Sequence, residues 1–151
     1  MTLDPDHHGP LRLGHAPLTI PDVVRVAREL APVEPLPDSA PPDSELAARL
    51  ARVGDSARWV QQTMDEIEAA DVEGRAPLVI YGVNTGFGDN AGRAIFRHRS
   101  EAARLSRNLL LSHAVGVGEH LPPDATRASM LIRAHTLAQG YSGVRRAVIN
   151  T

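Results

Sequence analysis

Seven apolar positions dictate most of what this chain can become. Leu46, Leu50, Val53, Ala57, Val60, Met64 and Ile67 follow one another at alternating intervals of four and three residues. A strand places every second residue on a face, whereas a helix gathers this spacing into a single stripe. The pattern predicts a helix that starts from a cap at Asp43 or Ser44 and runs to about Ala70, weakened at Gly54. A stripe of this length needs a partner surface. An antiparallel bundle would provide one, and so would another subunit; spacing alone does not separate the two.

Further helices are marked by their ends. Residues 1–17 read as an extended tail. In "LTIPDVVRVAREL", Thr19 and Asp22 have capping-box spacing, with Asp in place of Glu, and Pro21 suits a first turn. Val23, Val24, Ala27 and Leu30 are the expected apolar face. Residues 32–43 carry Pro32, Pro35, Pro37, Pro41 and Pro42 and read as a stiff connector. "APLVI" reads as a short extended segment. A helix through "EAARLSRNLLLSHA" opens at Arg99 or Ser100 and is terminated by Gly116 and Gly118. In "LPPDATRASMLIRAHTLAQG", Asp124 is the expected cap and Gly140 the stop. Met130, Leu131, Ala134, Leu137 and Ala138 form its expected buried face. Ser142 could cap a last short helix, "GVRRAVINT", which needs further structure to hold it. The fold class expected is mainly α, with one helical domain over residues 18–151.

Composition removes whole classes of chemistry. There is no cysteine, so disulfides, thiolate nucleophiles and Cys-ligated zinc are excluded. All 16 basic residues are arginine, which rules out a P-loop lysine or a Schiff-base lysine on these residues. A net charge of -2 gives no bulk attraction to nucleic acid or anionic membrane. The N-terminal "MTLDPDHHGP" lacks the basic and apolar regions of a signal peptide, so a cytoplasmic location is expected. His7, His8, His15, His98, His120 and His135 show no metal-ligand spacing, and no metal is expected.

The segment that does not read as scaffold is "YGVNTGFG", residues 81–88, within a loop over residues 81–92. Two of the chain's five aromatic residues, Tyr81 and Phe87, stand here among Gly82, Gly86, Gly88 and Gly92. The glycine spacing fits neither a dinucleotide fingerprint nor a phosphate cradle. It does permit positive φ and close approach of other groups, and Asn84 and Thr85 are short polar side chains suited to turns. Tyr81 has two readings. Its ring can pack on the core with the hydroxyl in water, or its phenol can act as an acid/base. A phenol titrates near about 10, so the second role requires a stabilised phenolate.

The same residues carry a resemblance. "YGVNTGFG" resembles the signature loop of the histidine and aromatic amino acid ammonia-lyases and their relatives, the 2,3-aminomutases. "NLLLSHAVGVGEHL", "MLIRAHTLAQGYSGVR" and "LTIPDVVRVAREL" continue the similarity in order across most of residues 18–150. The resemblance implies an all-helical, usually tetrameric enzyme, of which this chain is the N-terminal helical domain. Its electrophile is 4-methylidene-imidazol-5-one (MIO), made from an internal Ala-Ser-Gly. The substrate amine adds to MIO, a loop tyrosine removes the β-proton, and ammonia leaves; in aminomutases the amine is added back at the β-carbon. Tyr81 occupies the position of that tyrosine, and Gly82, Gly86 and Gly88 would let the loop close. His113 aligns with the substrate-selectivity position, where Ser112-His113 resembles the histidine-specific members; it also reads as a satisfied histidine at a helix edge. Asn84 is a weaker candidate, for substrate binding or for orienting the loop and the pocket.

One departure from the family matters. No Ala-Ser-Gly occurs in this sequence; the nearest strings are Ala128-Ser129-Met130 and Tyr141-Ser142-Gly143. The expectation is a split enzyme in which a second polypeptide carries MIO and completes a higher hetero-oligomer, with a small amino acid as substrate and this chain inactive alone. The alternatives are a non-catalytic subunit that binds an ammonia-lyase relative, and a stand-alone helical binding module.

Overall fold

The structure, a computed structural model, describes residues 9–151. The expectations for residues 1–8, including His7 and His8, lie outside the described residues. In chain order the elements are β1 (Leu11–Arg12), α1 (Ile20–Arg28), β2 (Val33–Glu34), α2 (Glu45–Val72), α3 (Arg99–His113), α4 (Pro123–Leu137) and α5 (Arg146–Ile149). The fold is mainly α, as the sequence predicts. No helix among the described residues is long and apolar enough to cross a membrane. The chain divides into two units: residues up to Ala57 together with His120–Thr151, and Arg58–Glu119.

In the first unit, the extended N-terminal segment joins a small sheet that the sequence does not announce. β1 and β2 pair in parallel, Leu11 opposite Val33 and Arg12 opposite Glu34. A parallel pair requires a crossover, and α1 is that crossover. Arg12 Nε reaches Glu34 Oε2 at 2.9 Å across the pair. The capping box forms as expected: the Thr19 hydroxyl accepts from the Asp22 N–H, and the Asp22 carboxylate accepts from the Thr19 N–H at 3.0 Å. The buried face of α1 differs from the expected one. Val26 and Ala27 are buried, while Val24 and Leu30 are exposed. Leu30 is the residue that ends the helix, at φ +60°. The Ala31 N–H beyond it donates back to the Arg25 carbonyl at 3.2 Å.

α1 packs on α4. Arg28 Nε binds Asp124 Oδ2 at 3.2 Å, and Arg127 Nε donates to the Ala27 carbonyl at 2.9 Å. Asp124 is therefore inside the first turn of α4 rather than its cap; Pro122 holds the cap position without a side-chain bond. Met130 is another correction. It is 66% exposed, and its neighbour Leu131 is the buried residue of α4. The core joins Leu13, Val26, Leu36, Val53, Leu131, Ala138 and Ile149. Leu36, only 2% exposed, belongs to the proline-rich stretch, so that stretch packs as well as connects. The short α5 is held from within the unit. Asn150 exchanges two hydrogen bonds with the Leu36 backbone, at 3.0 and 2.9 Å, and Arg146 pairs with Asp38 and the Pro37 carbonyl. Ser142 does not cap α5, whose cap position is Arg145.

The second unit holds the C-terminal part of α2, the loop and α3. Thr63, Met64, Ile67 and Ala70 are buried, continuing the predicted seam. The start of α3 is clamped to this end of α2. The Arg99 N–H donates to Glu68 Oε1 at 2.6 Å, and its guanidinium reaches Asp65 and the Gln61 carbonyl. Asp71 takes Arg97 at 2.6 Å and His98 at 3.2 Å. The Arg97 hydrogen bond, above all, holds the Asp71 carboxyl below its ordinary range. "APLVI" forms no sheet ladder.

Candidate active site

The loop over residues 81–92 is organised by the residues at its base. Asn84 is fully buried. Its Oδ1 accepts from the Ile80 N–H at 2.9 Å, and its Nδ2 donates to the Leu78 carbonyl at 2.7 Å. Its own carbonyl accepts from the Ile95 N–H at 2.9 Å. One residue thus ties the strand of chain entering the loop to the strand leaving it. Thr85 adds an isolated antiparallel bridge to Ala94, and its hydroxyl accepts from the Gly82 N–H at 3.3 Å.

Both polar atoms of the Asn84 side chain are engaged with backbone. Its role is to fix the turn on which Tyr81 stands.

Two glycines are required by that turn. Gly82 follows Tyr81 at φ +77°, where a side chain would be strained. At Gly86 a Cβ would lie 2.6 Å from the Asn90 Cβ, inside any real contact distance. Gly88 opens a short 3-10 turn over Gly88–Asn90, and the Asn90 N–H closes it by donating to the Phe87 carbonyl at 3.2 Å.

Within this unit the loop and α3 enclose a cavity of about 710 Å³. Gly82, Gly86, Phe87 and Gly88 wall it from the loop; Asn108, Leu109, Ser112 and His113 wall it from α3. Four of the sequence-predicted site residues, Gly82, Gly86, Gly88 and His113, thus meet at one place. Tyr81 stands beside them but not on the wall. It is 66% exposed, and its ring meets the Phe87 ring edge to face, with centroids 5.9 Å apart and planes at 75°.

His113 ends α3 and is exposed rather than set into a core edge. Its Nδ1 lies 2.9 Å from the Leu109 carbonyl and 3.0 Å from Ser112 Oγ. A carbonyl only accepts, so Nδ1 carries the proton and Nε2 is the ring atom left for a ligand. Ser112 Oγ also donates to the Leu109 carbonyl at 2.9 Å, which holds the pair as one unit at the helix end. Among the described residues no three of His, Asp and Glu converge as a metal site. Phe87 is the functional candidate that the sequence reading missed. Its signal was the presence of a second aromatic residue in the loop of a chain with only five.

Comparison with known proteins follows the same residues. Residues 18–151 match the family described as aromatic amino acid lyase. The chain is 34% identical over 134 residues to the histidine ammonia-lyase of Alkaliphilus metalliredigens, covering 89% of this chain and 22% of that protein. To the histidine ammonia-lyase of Caldanaerobacter subterraneus it is 38% identical over 134 residues, with the same 89% and 22% coverage. Over a shorter stretch of 78 residues it is 50% identical to the histidine ammonia-lyase of Deinococcus radiodurans, 52% of this chain and 14% of that protein. The chain spans about a fifth or less of the length of these relatives.

Proposed function

The chain belongs to the aromatic amino acid lyase family, and from that premise we propose that it supplies the proton-transfer half of an amino acid ammonia-lyase site. Tyr81 is the acid/base, and the cavity between the loop and His113 receives the substrate side chain. The observation that carries this reading is the convergence of Gly82, Gly86, Gly88 and His113 on one cavity, with Tyr81 at its edge.

The chemistry follows from the bond changes. Elimination of ammonia from an α-amino acid breaks a β-C–H bond and the α-C–N bond. The C–H electron pair becomes the α,β double bond, and the C–N pair leaves with the nitrogen. The β-proton is weakly acidic, so its base must be held within hydrogen-bond reach of it. The Tyr81 oxygen takes that proton, on a turn that Asn84 and Thr85 keep in shape. MIO would supply the electrophilic sink that makes the amine a leaving group. Residues 1–151 contain no Ala-Ser-Gly, so they do not form MIO by the family's route. We place the electrophile outside these residues, on a segment that completes the site with them.

Histidine is the substrate we propose. The relatives named above are histidine ammonia-lyases, and His113, a residue of the cavity lining, has a ring that could meet an imidazole. The test is to co-express this chain with a polypeptide bearing the family's Ala-Ser-Gly segment. The purified assembly is then assayed with histidine, phenylalanine and tyrosine for ammonia, unsaturated acid and β-amino acid. Ammonia and unsaturated acid from histidine, absent with either chain alone, are expected. An assembly that forms and turns over none of the three would overturn the proposal in favour of a non-catalytic subunit.

A further inference from the structure

The proton transfer proposed for Tyr81 depends on where its hydroxyl points, yet the residue is two-thirds exposed and does not line the large cavity. Phe87 supplies what is missing. Its ring meets Tyr81 edge to face at 5.9 Å, inside the range in which the positive edge of one ring is attracted to the face of another. The same Phe87 lines the large cavity beside His113, and also a second cavity of about 400 Å³ formed with Leu109, Leu110, His113 and Ala114. Phe87 therefore touches both the Tyr81 ring and the cavity.

The backbone on both sides of this ring pair is constrained. Tyr81 is fixed between the Asn84-anchored turn and Gly82 at φ +77°. Phe87 is fixed between Gly86, which admits no Cβ, and the 3-10 turn that its own carbonyl closes. Both rings are thus carried on constrained backbone, which leaves their side-chain torsions as the remaining freedom.

We propose that Phe87 is the positioning residue for the Tyr81 phenol: it holds the ring by edge-to-face contact beside the cavity that Phe87 lines, and it touches no transferred proton itself. This rests on the reading of Tyr81 as the acid/base. A displacement of about 1 Å in a catalytic group is enough to cost on the order of a hundredfold in rate.

The test joins a spectroscopic and a kinetic readout. In the full chain labelled with ring-¹³C tyrosine, with Tyr141→Phe to assign the signals, Phe87→Leu should move the Tyr81 ring resonances by removing the neighbouring ring. Phe87→Tyr, which keeps a ring edge, should leave them close to wild type. In the assembly with the Ala-Ser-Gly polypeptide, Phe87→Leu should lower kcat by roughly tenfold to a hundredfold while KM changes little, and Phe87→Tyr should restore it. Unmoved Tyr81 resonances in Phe87→Leu would overturn the contact. Moved resonances with unchanged kcat would overturn the positioning role while leaving Tyr81 as the base. Loss of both readouts in Phe87→Tyr would overturn the claim that the ring edge is what matters. Failure of the underlying reading would look different: Tyr81→Phe would keep full activity.

Discussion

Asn84 shows what a single buried amide does for a loop that has little else to hold it. Its side chain satisfies one N–H and one carbonyl at the loop base. Removing it takes away both hydrogen bonds, at about 0.5–1.5 kcal/mol net each. Asn84→Ala is therefore expected to lower the unfolding free energy by about 1–3 kcal/mol in urea titration; a loss below about 0.5 kcal/mol would mean that the loop relaxes without it. The turn-forming character of Asn84 was legible in the sequence, but its backbone partners were not. A string of residues does not say whether a short polar side chain faces a ligand or its own backbone.

His135 makes a second case at this scale. Burial, and then the charge of Arg49, hold its imidazole below the ordinary histidine value, with Asp22 pulling weakly the other way. Its Nε2 lies 3.1 Å from the Gln139 amide nitrogen, which only donates, so the ring must accept there as the neutral form. A folded pKa below the unfolded one means that the unfolded chain binds the proton more readily. This contribution is fully present above about pH 6.5 and is lost as pH falls from there through the folded value. The urea midpoint should fall over that interval, and His135→Gln should flatten the fall; an unchanged slope in the variant would assign the effect to another group.

At the scale of elements, the chain just after α4 meets the backbone of α2 at Gly140. Gly140 lies at φ +85°, and a Cβ there would come within 2.7 Å of the Val53 N and 2.8 Å of the Arg52 Cβ. Backbone cannot swing aside as a side-chain tip can. Gly140→Ala should cost roughly 2–5 kcal/mol from positive φ and overpacking together, read as a drop in thermal midpoint. A neutral result would mean that the two helices are free to separate. Gly140 was readable in advance as a helix stop, and so were the α2 seam and the Thr19–Asp22 box, because each is set by neighbours in sequence. The β1–β2 pair was not. Each strand has only two residues, too few for an alternation, and each exists because its partner, 22 positions away, is delivered by α1. Met130 and Leu131 were both read as buried for a related reason: adjacent residues lie about 100° apart on a helix, and only the packed partner decides which of them turns inward.

At the scale of the molecule, α3 and the chain after it display a surface that a protein working alone rarely keeps. Leu110, Leu111, Val115 and Val117 are all exposed, Val117 at 96%. Apolar surface of this kind marks an interface. The chain on its own should self-associate with rising concentration by light scattering, and Leu110→Gln with Val117→Ser should suppress this without altering the helical signal. A wild-type chain that stays monomeric would argue that this surface needs no cover. The same surface suits the account's central claim, in which a tyrosine from these residues serves an electrophile held outside them. That claim is tested most directly by kcat of the co-expressed assembly with Tyr81→Phe, which keeps the ring and removes only the hydroxyl. The account predicts a fall of about 10²–10⁴-fold with assembly intact. Turnover by Tyr81→Phe at the wild-type rate would contradict it.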